Sequence, residues 1–423
     1  MVVPSSLISW VPDPPDYWES IHPDSLGNAL ADSFYGYMTL DQVIGGSNPP
    51  SPARTRIAPP ESTLNTGRPG VNSPTKSNRF AGGEVPSPPM EPAEALERIV
   101  YLLDRVREKP YRVRAYLRAA EIVKALAPDE LVARVAAGTL EELDGIGPKT
   151  AAIITEVATS GSTAYLAELE EKTVLTVGKG NKLVAQLKGD LHVHSLWSDG
   201  GAEIDVMARA ARDLGHEYIA LTDHSPRLTI ANGLSRERLL KQLDIVAALN
   251  DDLAPFRILT GIEVDILEHG ALDQDDDILE RLDVVVASVH SKLRMEKREM
   301  TRRMITAIAN PHTDVLGHCT GRYVVGRGRP QSEFDAEVVF HACERFDTAV
   351  EINSRPERLD PPNDLLALAV QMGCRFAINT DAHAPGQLEW QPYGADKAVE
   401  TGVTIDRVVN SRSADELVEW TRR

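Results

Sequence analysis

The sequence predicts an α/β protein built around a parallel barrel of seven strands, closed or nearly closed, with helices outside. Three observations lead there. From about Gly189 onward, seven short apolar runs of strand length alternate with segments of helical periodicity. Six of those runs deliver a His, Asp or Glu at their carboxyl end. A separate stretch upstream, Glu94 to Leu169, carries helical periodicity alone, broken by Pro and Gly.

The first run is Gly189-Asp190-Leu191-His192-Val193-His194, followed by Ser195-Leu196-Trp197-Ser198-Asp199-Gly200. In a strand, residues two apart point to one face, so His192 and His194 can grip an ion from the same side. Tyr218 to Thr222 ends in Asp223-His224, and Ile258 to Ile262 ends in Glu263. Val284 to Val289 delivers His290, Val315 to Gly317 delivers His318, and Phe376 to Thr380 delivers Asp381 and His383. Ala349 to Asn353 completes the seven. Between them lie the helical patterns Val206 to Leu214, Arg238 to Leu249, Met300 to Ile308, Ala336 to Cys343 and Leu365 to Met372. In a parallel barrel the carboxyl ends of the strands converge on one face, where loops from distant parts of the chain build a site.

The residue types describe a metal centre. Imidazole mixed with carboxylate, without thiolate, suits Zn, Mn or Fe, whereas an all-oxygen set would suit Mg or Ca. Nine such ligands call for two or three divalent transition-metal ions. Ions about 3.5–4 Å apart can share a hydroxide that attacks phosphorus while a neighbouring ion steadies the departing oxygen. Glu263 is the expected bridge, because a carboxylate has two oxygens, and with Asp381 it would offset cationic charge. Taken singly, a His after a strand is usually a loop residue or a satisfied core imidazole. Five histidines read that way and are expected to have no role: His22, His216, His269, His312 and His341.

From about Gly189 to the end, these runs and their ligands resemble the PHP domain, the family named for polymerase and histidinol phosphatase. The resemblance implies a distorted (βα)7 barrel with a trinuclear centre. Its nine ligands would be His192, His194, Asp199, His224, Glu263, His290, His318, Asp381 and His383. It places His192, His194, Glu263 and Asp381 around one ion, Glu263, His290 and His318 around a second, and Asp199, His224 and His383 around a third. Glu263 and Asp381 would then serve catalysis as well as binding. Three local stretches are His318-Cys319-Thr320-Gly321-Arg322, Glu351-Ile352-Asn353 with Arg355 and Arg358-Leu359-Asp360, and Asn379-Thr380-Asp381-Ala382-His383. They look more like the PHP domain of bacterial family X DNA polymerases than like histidinol phosphatase. Arg322 and Arg355 are candidate phosphate clamps, since a guanidinium matches phosphate in a bidentate fork; the alternative is surface or ion-pairing arginines.

Upstream, several short helices are predicted from Glu94, separated by Pro110, Pro128, Gly138 and Gly145 to Pro148. About 80 residues bury a core of their own only marginally. At the centre stands Leu143-Asp144-Gly145-Ile146-Gly147-Pro148-Lys149-Thr150, which resembles a helix-hairpin-helix. A Gly-x-Gly turn before a helix lets a phosphate approach backbone N–H groups at the positive helix end, and Lys149 adds charge. Glycines also cap helices for structural reasons alone. Arg105 to Lys124 contains seven Lys or Arg against two Glu, a local +5 within a net charge of −18. Lys109 to Ala120 and Gly161 to Leu169 resemble the amino-terminal eight-kilodalton domain of family X polymerases. Gly145, Gly147, Lys149, Arg112, Arg114 and Arg118 are accordingly the expected DNA contacts, made to backbone phosphate.

Two departures limit that resemblance. Ile153 stands where a lysine, one helical turn after Lys149, forms the Schiff base in 5′-deoxyribose-phosphate lyases, so lyase chemistry is not expected. Only Glu170 to Lys188 separate this segment from the barrel, which leaves no room for fingers, palm and thumb. Templated synthesis is excluded.

Of 423 residues, 42% are hydrophobic, and no apolar stretch reaches the roughly 18 residues of a membrane span. Cys319, Cys343 and Cys374, without paired spacing, predict a reducing, cytoplasmic setting. The net charge of −18 and the acidic loop Asp273-Gln274-Asp275-Asp276-Asp277 oppose a broad nucleic-acid surface and leave localised, salt-dependent contact. Residues 1–89 hold 15 of the 28 prolines without sustained periodicity, which predicts a disordered tail, and they lack the basic start and apolar core of a targeting sequence. Gly46-Ser47-Asn48-Pro49 also matches a translated transfer-RNA T-arm, so translation is expected to begin at Met90.

The expected organisation is an N-terminal extension (1–89), a helix-hairpin-helix domain (90–172), a linker (173–187) and the barrel (188–423). The expected function is a metal-dependent phosphoesterase on DNA ends, a 3′-to-5′ exonuclease or a 3′-end phosphodiesterase or phosphatase. One alternative is a phosphatase for a small phosphomonoester such as histidinol phosphate. Another is a DNA-binding scaffold with structural metals. Oligomeric state and the acid that protonates the leaving group leave no signal in the sequence.

Overall fold

The computed structural model describes residues 90–175 and 178–422. The expected N-terminal extension, residues 1–89, lies outside the described residues.

The segment before the barrel forms α1 (Pro92–Arg105), α2 (Pro110–Ala125), α3 (Pro128–Ala137), α4 (Pro148–Ser160) and α5 (Ala164–Lys172). Pro110, Pro128 and Pro148, which break the sequence pattern, each open a helix, and Pro92 opens α1. A missing N–H at the first helical position removes a donor that would have no partner in the helix anyway. Leu96, Ile99, Leu103, Ala119, Val123, Ile154 and Val157 bury a core distinct from that of the barrel.

The barrel follows as β1 (Gly189–Val193), α6 (Ile204–Asp213), β2 (Tyr218–Leu221), α7 (Arg236–Leu253), β3 (Arg257–Asp265) and β4 (Val284–Ser288). It continues through α8 (Lys297–Ile308), β5 (Val315–Leu316), α9 (Ala336–Arg345), β6 (Ala349–Asn353), α10 (Asn363–Gln371) and β7 (Phe376–Asn379). A 3-10 helix (Pro385–Trp390), α11 (Gln391–Thr401) and α12 (Ala414–Thr421) end the chain. The sheet order is β1 to β7 and every neighbouring pair is parallel.

Closure is completed by side chains. The Asn410 amide donates to Gly189 O and Ile378 O (2.9 and 2.8 Å), the Gln391 amide to the same two carbonyls (2.9 and 3.1 Å), and Asn379 Oδ1 accepts from Leu191 N (3.1 Å). Beyond this seam, Val193 and Ala382 form a single parallel bridge. The barrel is therefore nearly closed.

Inside, Leu191, Ala220, Leu259, Val284, Val286 and Ala377 form one cluster; Val285, Ala287 and Val350 pack outward in a second with Met300, Met304 and Phe340. β3 is the long strand of the sheet. Its first half pairs with β2 and its second with β4, and Gly261 marks the exchange. A Cβ there would stand 2.9 Å from both Leu221 O and Val284 O, so only glycine lets three backbones approach. The extension carries Glu263 within β3, where the sequence reading ends the strand at Ile262. In β1 the register shifts between Asp190 and Val193. This irregularity lets Leu191 join the inner cluster while Val193 packs outward with Ile204 and Met207. Bulges of this kind re-aim side chains next to sites.

The helical segment docks on the barrel through α1 and the 3-10 helix. Tyr101 OH and Arg105 Nη1 reach the two oxygens of Glu389 (2.5 and 2.7 Å), and Trp390 Nε1 donates to Arg105 O (2.9 Å). Arg107 pairs with Glu357 on the loop after β6. No described helix is long and apolar enough to cross a membrane.

Candidate metal centre

All nine expected ligands gather at the carboxyl ends of the strands, with Glu263 in the middle. Its Oε2 lies 3.2 Å from His192 Nε2, 3.5 Å from His194 Nε2 and 3.0 Å from His224 Nδ1. Its Oε1 lies 3.1 Å from His290 Nε2 and 2.8 Å from His318 Nε2. Asp199 Oδ1 faces His224 Nε2 (3.5 Å) and His383 Nε2 (3.4 Å), and Asp381 Oδ1 faces His194 Nε2 (3.5 Å). Three overlapping sets have ligand atoms within 4.8 Å of one another: His194, Asp199, His224 and His383; His192, His194 and Glu263; and His224, Glu263 and His290. Asp381 sits in left-handed backbone (φ 55°), an unusual conformation for a non-glycine that the surrounding bonds must hold.

These residues fit cations. Buried imidazole nitrogens of His192, His194, His224, His290 and His318 have no hydrogen-bond partner among the described residues. Lone pairs left bare at a buried site are expensive unless something binds them. Burial, together with neighbouring His383 and His224, pushes the His194 imidazole down to about 3, so it stays neutral and able to ligate. Burial opposes ionisation of Glu263, but His192, His290 and His224 hold its carboxyl well below the usual carboxylate range. Asp381 is held low against burial by Arg355, His194, His192 and Arg358. Against burial, Glu351 and Glu263 raise the His192 imidazole well above its ordinary value, and Glu263 and Asp265 raise His290 to about 9, so a bound ion would displace protons from these two rings.

Partners outside the nine orient them, and the sequence reading missed these. Glu351, in β6, accepts from His192 Nδ1 (2.7 Å), which turns Nε2 toward Glu263; its other oxygen takes His318 N (2.7 Å). Asp265 Oδ1 accepts His290 N at 3.1 Å and lies 3.4 Å from His290 Nδ1. Such carboxylate–histidine pairs fix tautomer and ring orientation. A Glu in the middle of a fully buried strand is a signal that could have found Glu351.

Arg355 lies at the centre, with Nη1 3.2 Å from Asp381 O and 3.0 Å from His383 Nδ1. Arg358 joins it: Nε donates to Asp381 Oδ2 at 3.0 Å, and its buried Nη1 has no hydrogen-bond partner among the described residues. Arg322 instead directs Nε to Arg358 O (3.0 Å) and Nη2 to Leu359 O, bracing the loop after β6.

In the helical segment, Gly147 caps α4 and Gly145 has φ 104°. A Cβ at Gly147 would meet nothing within 4 Å, so the approach to the helix end is open. Lys149 Nζ lies 4.1 Å from the centroid of the Tyr165 ring, Arg118 pairs with Asp144 (2.6 Å), Arg112 pairs with Glu108, and Arg114 is exposed. Ile153 is buried in the core.

Comparison with known proteins places these parts. The sequence model of a helix-hairpin-helix domain matches residues 87–163, and that of the PHP domain matches residues 190–354. A "probable phosphatase" of Thermoanaerobacter sp. (strain X514) is 30% identical over 234 residues, covering 52% of this chain and 89% of that protein. The chain belongs to the PHP phosphoesterase family. It is a hydrolase in which a helix-hairpin-helix domain precedes the PHP barrel, as in the fusion to part of a family X polymerase anticipated above. The "DNA polymerase/3'-5' exonuclease PolX" of Bacillus subtilis (strain 168) is 40% identical over 240 residues, 57% of this chain. The match spans only 42% of that polymerase's length. Among solved structures, the histidinol phosphate phosphatase of Lactococcus lactis subsp. lactis Il1403, complexed with zinc, L-histidinol and phosphate, aligns with a TM-score of 0.37 at 19% identity, covering 51% of this chain and 94% of that one.

Proposed function

We propose that this PHP enzyme hydrolyses phosphate esters at DNA ends, as a 3′-to-5′ exonuclease or a 3′-end phosphodiesterase or phosphatase, with two or three Zn, Mn or Fe ions held by the nine residues. The observation that carries it is the gathering of five histidines on one buried glutamate, beside which a helix-hairpin-helix domain is docked. Bound ions would supply a nucleophile drawn from water and positive charge for the departing oxygen. The chain's own residues do the rest. Glu263, with two oxygens facing different histidines, is placed to serve two ions. Glu351 orients the His192 ring, and Glu351 and Asp265 fix the backbone N–H groups of His318 and His290. Arg355 and Arg358 present guanidinium groups beside Asp381, where a phosphoryl group can be clamped. Gly145, Gly147, Lys149, Arg112, Arg114 and Arg118 would hold the DNA backbone at the open end of α4.

A second reading, a phosphatase for a small phosphomonoester, is favoured by the extent of the match to the Thermoanaerobacter relative. A metal-supplemented assay separates the two, comparing 3′-end-labelled single-stranded DNA, a duplex with a 3′-phosphate, and histidinol phosphate. Asp381→Ala abolishes turnover of whichever is the substrate. Because α1 is packed on the barrel, the helical domain is better tested by Lys149→Ala with Arg114→Ala than by deletion. Loss confined to the DNA substrates supports the first reading; preferred turnover of histidinol phosphate, untouched by those changes, replaces it with the second.

A further inference from the structure

The loops on the face of the metal centre are divided in charge. The loop after β3 carries Glu268, Asp273, Asp275, Asp276 and Asp277. The segment after β4, residues 291–302, holds five Lys or Arg against Glu296 and Glu299, a local +3. The loop after β5, residues 321–329, holds Arg322, Arg327 and Arg329 and no acid, another +3. The first starts directly after the expected ligand His290 and the second three residues past His318, so they border the centre. They also touch: a Cβ at Gly321 would stand 2.9 Å from Leu293 Cδ2.

The second loop is a built arm. Tyr323 and Arg329 exchange backbone hydrogen bonds of 2.9 and 2.8 Å, and the Tyr323 ring is faced by the guanidinium groups of Arg329 (4.2 Å) and Arg358 (4.8 Å). Val324 N donates to Glu357 O (2.7 Å), and the Glu357 side chain pairs with Arg107 of α1. The arm is thus fixed between the basic loop after β4 and the helical domain. Its tip is exposed: Val324 and Val325 keep 52% and 53% of their surface in solvent, and Arg327 is exposed beside them. Arg294 on the neighbouring loop and Arg298 in the first turn of α8 are exposed too. Two valines and three arginines left in water at the mouth of a phosphoesterase, in a chain of net charge −18, match a strand that alternates apolar bases with phosphates.

We propose that the loop after β4 with the first turn of α8, and the Tyr323–Arg329 arm, form a rim that leads single-stranded DNA to the metal centre. Arg294, Arg298 and Arg327 take successive phosphates, and Val324 with Val325 lies against a base. This rests on DNA being the substrate, and it adds the path the strand follows, along basic segments that adjoin the acidic loop after β3 where Lys292 faces Glu268 at 3.9 Å.

The test is fluorescence-anisotropy binding of a phosphorothioate single-stranded DNA oligonucleotide to the full chain, over a series of salt concentrations. With Arg294→Ala, Arg298→Ala and Arg327→Ala combined, Kd is expected to weaken at least ~10-fold at low salt. The slope of log Kd against log salt should fall by about 2, since each phosphate contact on a single strand contributes roughly 0.7. Val324→Ser with Val325→Ser should weaken binding without changing that slope. Hydrolysis of p-nitrophenyl phosphate and the melting temperature should stay at wild-type level in both variants. Unchanged Kd and slope in the triple variant, no DNA binding by the wild type, or parallel loss of p-nitrophenyl phosphate turnover would overturn the rim. Preference for an RNA strand of the same sequence would overturn its assignment to DNA. If the wild type binds DNA through these arginines but leaves an unmodified oligonucleotide intact, the rim stands and DNA hydrolysis falls. Normal degradation of DNA by the triple variant leaves hydrolysis standing and removes the rim.

Discussion

His192 ends its Nδ1 on Glu351 at 2.7 Å, and that one bond decides which nitrogen of the ring faces Glu263. Removing such a partner typically costs 10–100-fold in metal affinity. Glu351→Gln is therefore expected to shift the activating concentration of Zn or Mn upward by about that factor, with activity regained at saturating metal. An unchanged metal titration would contradict the role given to Glu351. The arginines should separate as well. Arg358→Ala is expected to weaken inhibition by inorganic phosphate roughly 10-fold, since a charge-assisted contact is worth about 1.5–3 kcal/mol, whereas Arg322→Ala should lower the melting temperature and leave phosphate inhibition alone. The gathering of the nine candidate ligands was legible because six strands in turn present a chemically distinctive residue at the same end. Glu351, Asp265 and Arg358 were not, because their partners lie on other strands, and only the fold brings Glu351 to a histidine 159 positions away.

At the scale of elements, alternation of apolar runs and helical patterns located all seven strands, and the prolines that punctuate the first segment turned out to start its helices. The register shift in β1, the extension of β3 through Glu263 and the 3-10 helix at Pro385–Trp390 were not legible. Each depends on what neighbouring backbones require and not on local pattern. The docking of α1 was equally hidden, and it has consequences for the site. Arg107 pairs with Glu357, which lies 3.4 Å from Arg355, and Arg355 touches Asp381 and His383. Arg107→Ala is expected to lower kcat on p-nitrophenyl phosphate several-fold with metal content unchanged, and Arg107→Lys should recover part of it. Equal kcat in wild type and Arg107→Ala would mean that the docked helix is only a support.

Asp104, in the last turn of α1, gives the same element a pH signature. Burial pushes its carboxyl up to about 7, from an ordinary value of 3.8. In the unfolded chain it ionises at that lower value, so the folded state holds the extra proton between about pH 4 and 7, and stability falls as pH rises through that window. Asp104→Asn should raise the melting temperature at pH 8 and have little effect near pH 4. A gain of the same size at both pH values would place its cause elsewhere.

For the whole molecule, the sequence divides into a barrel with a candidate metal centre and a helical domain whose basic residues concentrate between Arg105 and Lys124, and the structure joins them into one packed unit. Chelation is expected to lower the melting temperature as well as abolish hydrolysis, because ions that bind only the folded chain contribute about 2.7 kcal/mol when present at a hundred times their dissociation constant. Returning Zn or Mn should restore both. The most direct measurement is an anomalous-scattering map from crystals of the full chain grown with Mn or Zn. Two or three peaks are expected among His192, His194, Asp199, His224, Glu263, His290, His318, Asp381 and His383, with adjacent ions about 3.5–4 Å apart and Glu263 between two of them. A map without anomalous density at these residues, in protein that still cleaves phosphate esters, would contradict the account.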